Sequence, residues 1–128
     1  MNDLERLLFK SVRLGILPLV KATLDAGADV DARNFFGNTV LSRAAFFGDV
    51  EIVKLLLHAG ADIEAENTVG ATALFVASEF SRTDILKLLL DAGANIDAKN
   101  ALGITALGVA KYWGAKEAVK VLTEAGAK

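Results

Sequence analysis

The sequence predicts an all-α solenoid, a stack of helix pairs joined by β-turn and hairpin loops, and two observations carry that prediction. The first is a period of 33 residues: Asn34, Asn67 and Asn100 keep it, and so do Gly37, Gly70 and Gly103, then Thr39, Thr72 and Thr105, then Leu41, Leu74 and Leu107. AGAD at 26–29 and 59–62, AGAN at 92–95 and AGA at 125–127 repeat the second half of the unit, so the period runs through nearly the whole chain. A fixed period of tens of residues marks an architecture in which each unit buries its apolar face only against its neighbours. The second observation is that each unit holds two short helical patterns. Isolated helices below about 12–15 residues are marginal in water, so the pairs must stack to persist.

Within the second unit the elements follow in order. TVLSRAAFF places Leu41, Ala44 and Ala45 at helical spacing, with Thr39 as N-cap and Gly48 as terminator. Asp49 caps the next helix, in which Ile52, Val53, Leu56 and Leu57 share one face and Gly60 closes the end. The segment from Ala61 to Gly70 is polar and turn-rich. Small residues at Ala44, Ala45, Ala77 and Ser78 let the first-row helices approach closely, while the leucine-rich second helices fill an outer row. A curved stack is expected.

These residues resemble the ankyrin repeat family, which uses a 33-residue β-turn and helix pair. The resemblance covers residues 4–128 and implies one domain, 1–128, with repeats at about 1–33, 34–66, 67–99 and 100–128. The first and last are expected to act as caps: Ala22 and Thr23 replace Leu55 and Leu56, and Ala118 and Thr123 replace Ile52 and Leu57. Two departures stand out. The family's T-P-L-H opening reads TVLS, TALF and TALG, which removes a proline suited to a first helical turn and a hydrogen-bonding histidine. Ser81 occupies the place that Gly48 and Gly114 hold in their repeats, so that inter-helix turn should be strained or reshaped. Phe9 and Phe75, in the histidine column, are expected to pack inward.

Composition narrows the function. With 14 basic and 16 acidic residues spread along the chain, there is no basic stripe to displace counterions from nucleic acid. The absence of cysteine removes thiolate nucleophiles and thiolate metal sites, and a single histidine, His58, cannot form a metal pair. His58 falls in the last turn of a second helix, where the carbonyl end favours such a side chain. Asp62, Glu64 and Glu66 alternate as a solvated hairpin flank does, without converging on one cation. The 11 glycines sit singly at turns and form no phosphate-cradling loop. No enzyme, cofactor, metal, nucleic acid or small-molecule substrate is expected. MNDLERLLFK does not read as a secretory signal, and the apolar stretches fall well short of the roughly 18 residues of a membrane span. No membrane partner is therefore expected, and the composition fits a cytoplasmic or other intracellular protein if the chain is natural. The mean hydropathy of +0.41 still requires apolar residues to occupy a core or an exposed face.

The aromatic residues supply the binding signal. Of the nine in the chain, seven fall at two kinds of place: Phe35 and Phe36 just after the repeat asparagine, and Phe46, Phe47, Phe80, Tyr112 and Trp113 at the end of first helices. Core positions are already filled by the recurring Leu, Ile, Val and Ala columns, so these rings are surplus to the core. In ankyrin repeats the turn tips and exposed edge of the first helices line a concave groove that grips protein partners. The resemblance therefore implies a partner-binding groove of Arg13 and Leu14; Phe35, Phe36, Asn38, Phe46 and Phe47; Thr68, Val69, Ala71, Glu79 and Phe80; and Ala101, Leu102, Ile104, Tyr112 and Trp113. Seven half-exposed rings would present roughly 700 Å², more than the largest apolar patch of most monomers.

The alternative is that some rings fold inward to fill space vacated by the missing T-P-L-H contacts, Phe36 and Phe47 first among them. The expected function is a non-catalytic protein-binding module, with self-association into a homodimer through the same face as the other reading. A regular framework with aromatics concentrated in the groove columns also points to an engineered or selected binder, beside a natural ankyrin fragment.

Overall fold

A computed structural model describes residues 1–128. The helices are α1 (Asp3–Leu14), α2 (Leu17–Asp25), α3 (Val40–Phe47), α4 (Val50–His58), α5 (Ala73–Glu79), α6 (Thr83–Asp91), α7 (Ala106–Tyr112) and α8 (Lys116–Glu124). They form four successive pairs. The first helices, α1, α3, α5 and α7, pack one on the next in one row, and α2, α4, α6 and α8 do the same in a second row.

The recurring columns have local work to do. Each repeat asparagine folds its side chain over its own turn: Asn34 Oδ1 accepts from the backbone N–H of Phe36 and Asn38 at 3.0 and 3.1 Å. Asn67 Oδ1 accepts from Val69 and Ala71 at 3.0 and 2.9 Å, and Asn100 Oδ1 from Leu102 and Ile104 at 3.0 and 2.9 Å. Short amides suit this because they reach backbone groups two residues on. Thr39, Thr72 and Thr105 then cap α3, α5 and α7, accepting from Ser42, Phe75 and Gly108 at 3.3, 3.3 and 3.1 Å. Isolated antiparallel bridges join Arg33 to Thr39 and Lys99 to Thr105 across the turns. α1 starts on a capping box, in which Asn2 and Glu5 each accept from the other's backbone N–H. α2 starts on an uncapped Ile16 with Pro18 in its first turn, where a missing N–H costs nothing.

Between neighbours, backbone and side chains knit one turn to the next. The Ala101 N–H donates to the Val69 carbonyl at 3.0 Å, the Thr68 hydroxyl to the Phe36 carbonyl at 3.2 Å, and Asn67 Nδ2 to Asn38 Oδ1 at 3.0 Å. Carboxylates of the hairpin flank act in the same way, as Asp31 accepts from the Asp62 N–H at 2.8 Å and Glu64 from the Asn95 N–H at 2.7 Å. Arg33 reaches across to the Glu66 carbonyl.

The core runs continuously between the rows, with Leu8, Leu41, Ile52, Leu56, Ile85, Leu86, Leu89 and Leu122 fully buried. Ala44, Ala45, Ala77 and Ser78 are sealed between first-row helices, and the Ser78 hydroxyl donates to the Ala106 carbonyl at 2.6 Å. Of the end-repeat substitutions, Ala22 and Thr123 face outward, whereas Thr23 and Ala118 are buried. Those two occupy inward columns, and Thr23 satisfies its hydroxyl on the Leu19 carbonyl at 2.7 Å. Ser81 is the one non-glycine residue in the left-handed region, at φ 56°, because the α5–α6 turn must follow the same path as its glycine counterparts. Phe75 is buried and Phe9 packs partly against the core.

Candidate functional site

The turns and the first-row helices share one face, and two clefts open on it. The larger, of about 760 Å³, lies between the third and fourth repeats. Val69, Leu102 and Ile104 form its rim on the turns, Glu79, Tyr112 and Trp113 close the helical side, and Val76 and Val109 make its floor. Gly108 contributes no side chain, and that opens the space: a Cβ there would lie 3.2 Å from the Ile104 methyl. The smaller cleft, of about 400 Å³, lies between the first two repeats and is lined by Arg6, Lys10, Arg13 and Arg43 with Phe9, Phe36 and Phe47.

The predicted groove residues divide by burial. Phe35 is 94% exposed, Leu102 82% and Tyr112 79%, and Phe36, Val69, Phe80, Ile104, Trp113, Leu14 and Arg13 are also exposed. Asn38 and Glu79 are half-buried. Ala71 is only 4% exposed and contributes to the cleft wall rather than to a free surface, since its N–H is bound to Asn67. Phe46 and Phe47 are half-buried against the core, so part of each ring is structural. Phe36 points outward instead, and its ring meets Phe35 edge to face at 5.6 Å.

Edge-to-face pairs continue along the helix ends. Phe46 meets Phe47 at 5.2 Å and, across the repeat boundary, Phe80 at 4.8 Å, while Tyr112 meets Trp113 at 5.0 Å. Such pairs contribute about 0.5–1.5 kcal/mol beyond area and favour these ring orientations. The Arg43 guanidinium lies over both Phe46 and Phe47, at 4.7 and 4.8 Å from their centroids.

Among the cleft residues missing from the predicted groove are Lys10, Arg43, Val76 and Val109. They stand four positions before Leu14, Phe47, Phe80 and Trp113, hence on the same helical face one turn back. That offset was the available signal. His58 is exposed at the last turn of α4 and lines a separate cleft of about 560 Å³ on the second-row face with Leu17, Pro18, Lys21, Glu51, Lys54 and Leu55. No three His, Asp or Glu side chains come together as a metal-holding group, and no helix is long and apolar enough to cross a membrane.

The family model described as ankyrin repeats (3 copies) matches residues 7–100 and 61–128. No curated protein matches the chain. The 33-residue register, the helix pairs and the bridged turns all agree with the family match, and the chain belongs to the ankyrin repeat family.

Proposed function

We propose that the chain is a non-catalytic module that grips a protein with the face formed by its turns and first-row helices. Ankyrin repeats are in general protein-interaction modules, which supplies the class of function. The observation that carries the reading is the concentration of exposed rings on that one face: Phe35, Phe36, Phe80, Tyr112 and Trp113. At their degrees of exposure they present on the order of 600–700 Å² of aromatic surface. Leaving this area wet is unfavourable by about 25 cal/mol per Å², and a partner that covers it recovers that term. Edge-to-face contacts favour the orientations seen here and so reduce the side-chain entropy lost on docking. The four repeats act as one scaffold in this reading, with the end repeats as caps.

Affinity capture with the native chain beside a Phe80→Ala/Tyr112→Ala/Trp113→Ala variant tests the proposal. Proteins retained by the native chain and lost by the variant, with the helical circular dichroism spectrum retained at the assay temperature, are the expected result. Identical retention by both chains overturns it. Light scattering over a concentration range identifies the case in which the occupant is a second copy, because the native mass then rises with concentration and the variant mass does not.

A further inference from the structure

The binding face is chemically two-ended. The column Lys10, Arg43, Val76, Val109 changes from cationic to apolar halfway along the stack, and Arg6 and Arg13 of the first repeat add to its cationic end. At the first end, Arg6, Lys10, Arg13 and Arg43 surround one cleft that no acidic side chain lines. Only Arg6 has a carboxylate partner, Asp3 at 3.4 Å. The Arg43 guanidinium lies against two phenyl faces and forms no hydrogen bond within the protein, so its planar fork is oriented and unoccupied. At the other end, the larger groove presents Val76, Val109, Leu102, Ile104 and Trp113, with Glu79 as its single charge. A chain of net charge −2 thus concentrates four cations in one cleft of this face.

We propose that the partner is an extended acidic–apolar peptide segment: carboxylates seat among Arg13, Arg43 and Lys10, and an apolar side chain fills the groove between the third and fourth repeats. The proposal rests on the reading that this face docks a protein, and charge complementarity selects the acidic end. Two repeat steps separate the clefts. Packed helices lie about 8–10 Å apart, so the clefts are roughly 16–20 Å apart, which an extended strand spans in roughly five or six residues. Arginine forks bind carboxylates through two parallel hydrogen bonds, and the desolvating rings beside Arg43 strengthen that contact relative to an open surface.

The test is selection from a phage-displayed library of random peptides about twelve residues long, enough to cover the predicted spacing. Selected sequences are expected to carry Asp or Glu five or six residues from Leu, Phe or Trp. Their affinity should fall about fivefold or more in Arg13→Gln/Arg43→Gln, and weaken as salt rises from about 50 mM to about 500 mM. Peptides lost on Trp113→Ala but without acidic enrichment and unaffected by Arg13→Gln/Arg43→Gln overturn this proposal while leaving the docking face in place. A library that yields no binder, or only binders indifferent to both sets of substitutions, removes the docking reading and this proposal together.

Discussion

Gly70 and Gly103 offer a controlled measurement of how strongly one repeat holds the next. Both occupy the same turn position with φ 77°, so an added methyl meets the same local backbone strain at each. Their surroundings differ. A Cβ on Gly70 would lie 2.8 Å from the Ala101 nitrogen and 3.2 Å from the Asn100 carbonyl carbon, whereas a Cβ on Gly103 meets nothing within 4 Å. Left-handed strain of about 1–2 kcal/mol, partly offset by the lower unfolded-state entropy of alanine, gives Gly103→Ala a net cost of roughly 0.5–1.5 kcal/mol.

Gly70→Ala adds the displacement of the next turn's backbone and loss of the Ala101 N–H to Val69 carbonyl hydrogen bond, now 3.0 Å. Overpacking costs about 1–3 kcal/mol and a lost hydrogen bond about 1 kcal/mol, so the two variants should differ by roughly 2–4 kcal/mol. At this chain length that corresponds to roughly 7–15 °C in Tm. Far-ultraviolet circular dichroism melts, with urea titrations beside them, read the difference directly. Equal losses in the two variants would show that the turn contacts between repeats contribute nothing to the stack, and the reasoning would fail.

Three further outcomes follow from the same geometry. Ser81→Gly relieves a left-handed φ of 56° and should stabilise by about 0.5–1 kcal/mol, read as a higher urea midpoint; a lower midpoint refutes the assignment of strain to that turn. Leu56→Ala or Leu89→Ala, at fully buried positions, should each cost about 2–5 kcal/mol, and a loss below that range would mean the core collapses around the cavity. Phe35→Ala should change stability by less than about 0.5 kcal/mol, whereas Phe46→Ala, which removes a half-buried ring and its partners Phe47, Phe80 and Arg43, should cost about 1–3 kcal/mol. Equal melts for these two variants would contradict the division between free and packed rings.

Helix positions, caps and the repeat register were legible in the residues because each depends on groups within about four positions of one another. Thr39 caps α3 and Asn34 closes its turn through hydrogen bonds to residues no more than four positions away, and these recur in each later unit. The strain at Ser81 was legible for the same reason, since the left-handed turn is a local requirement. What packs from a distance was not legible in this way. Phe36 turns outward and Phe46 partly inward, although both belong to aromatic columns, because the second is met by Phe80 from the next repeat. Arg43 and Lys10 become one cationic cleft only when residues 33 apart are stacked side by side. Gly70 and Gly103 make the distinction plainest: they share residue type, turn, φ and the backbone strain a methyl group would bring, and only the neighbour supplied by the tertiary stack adds a steric clash at one and not at the other.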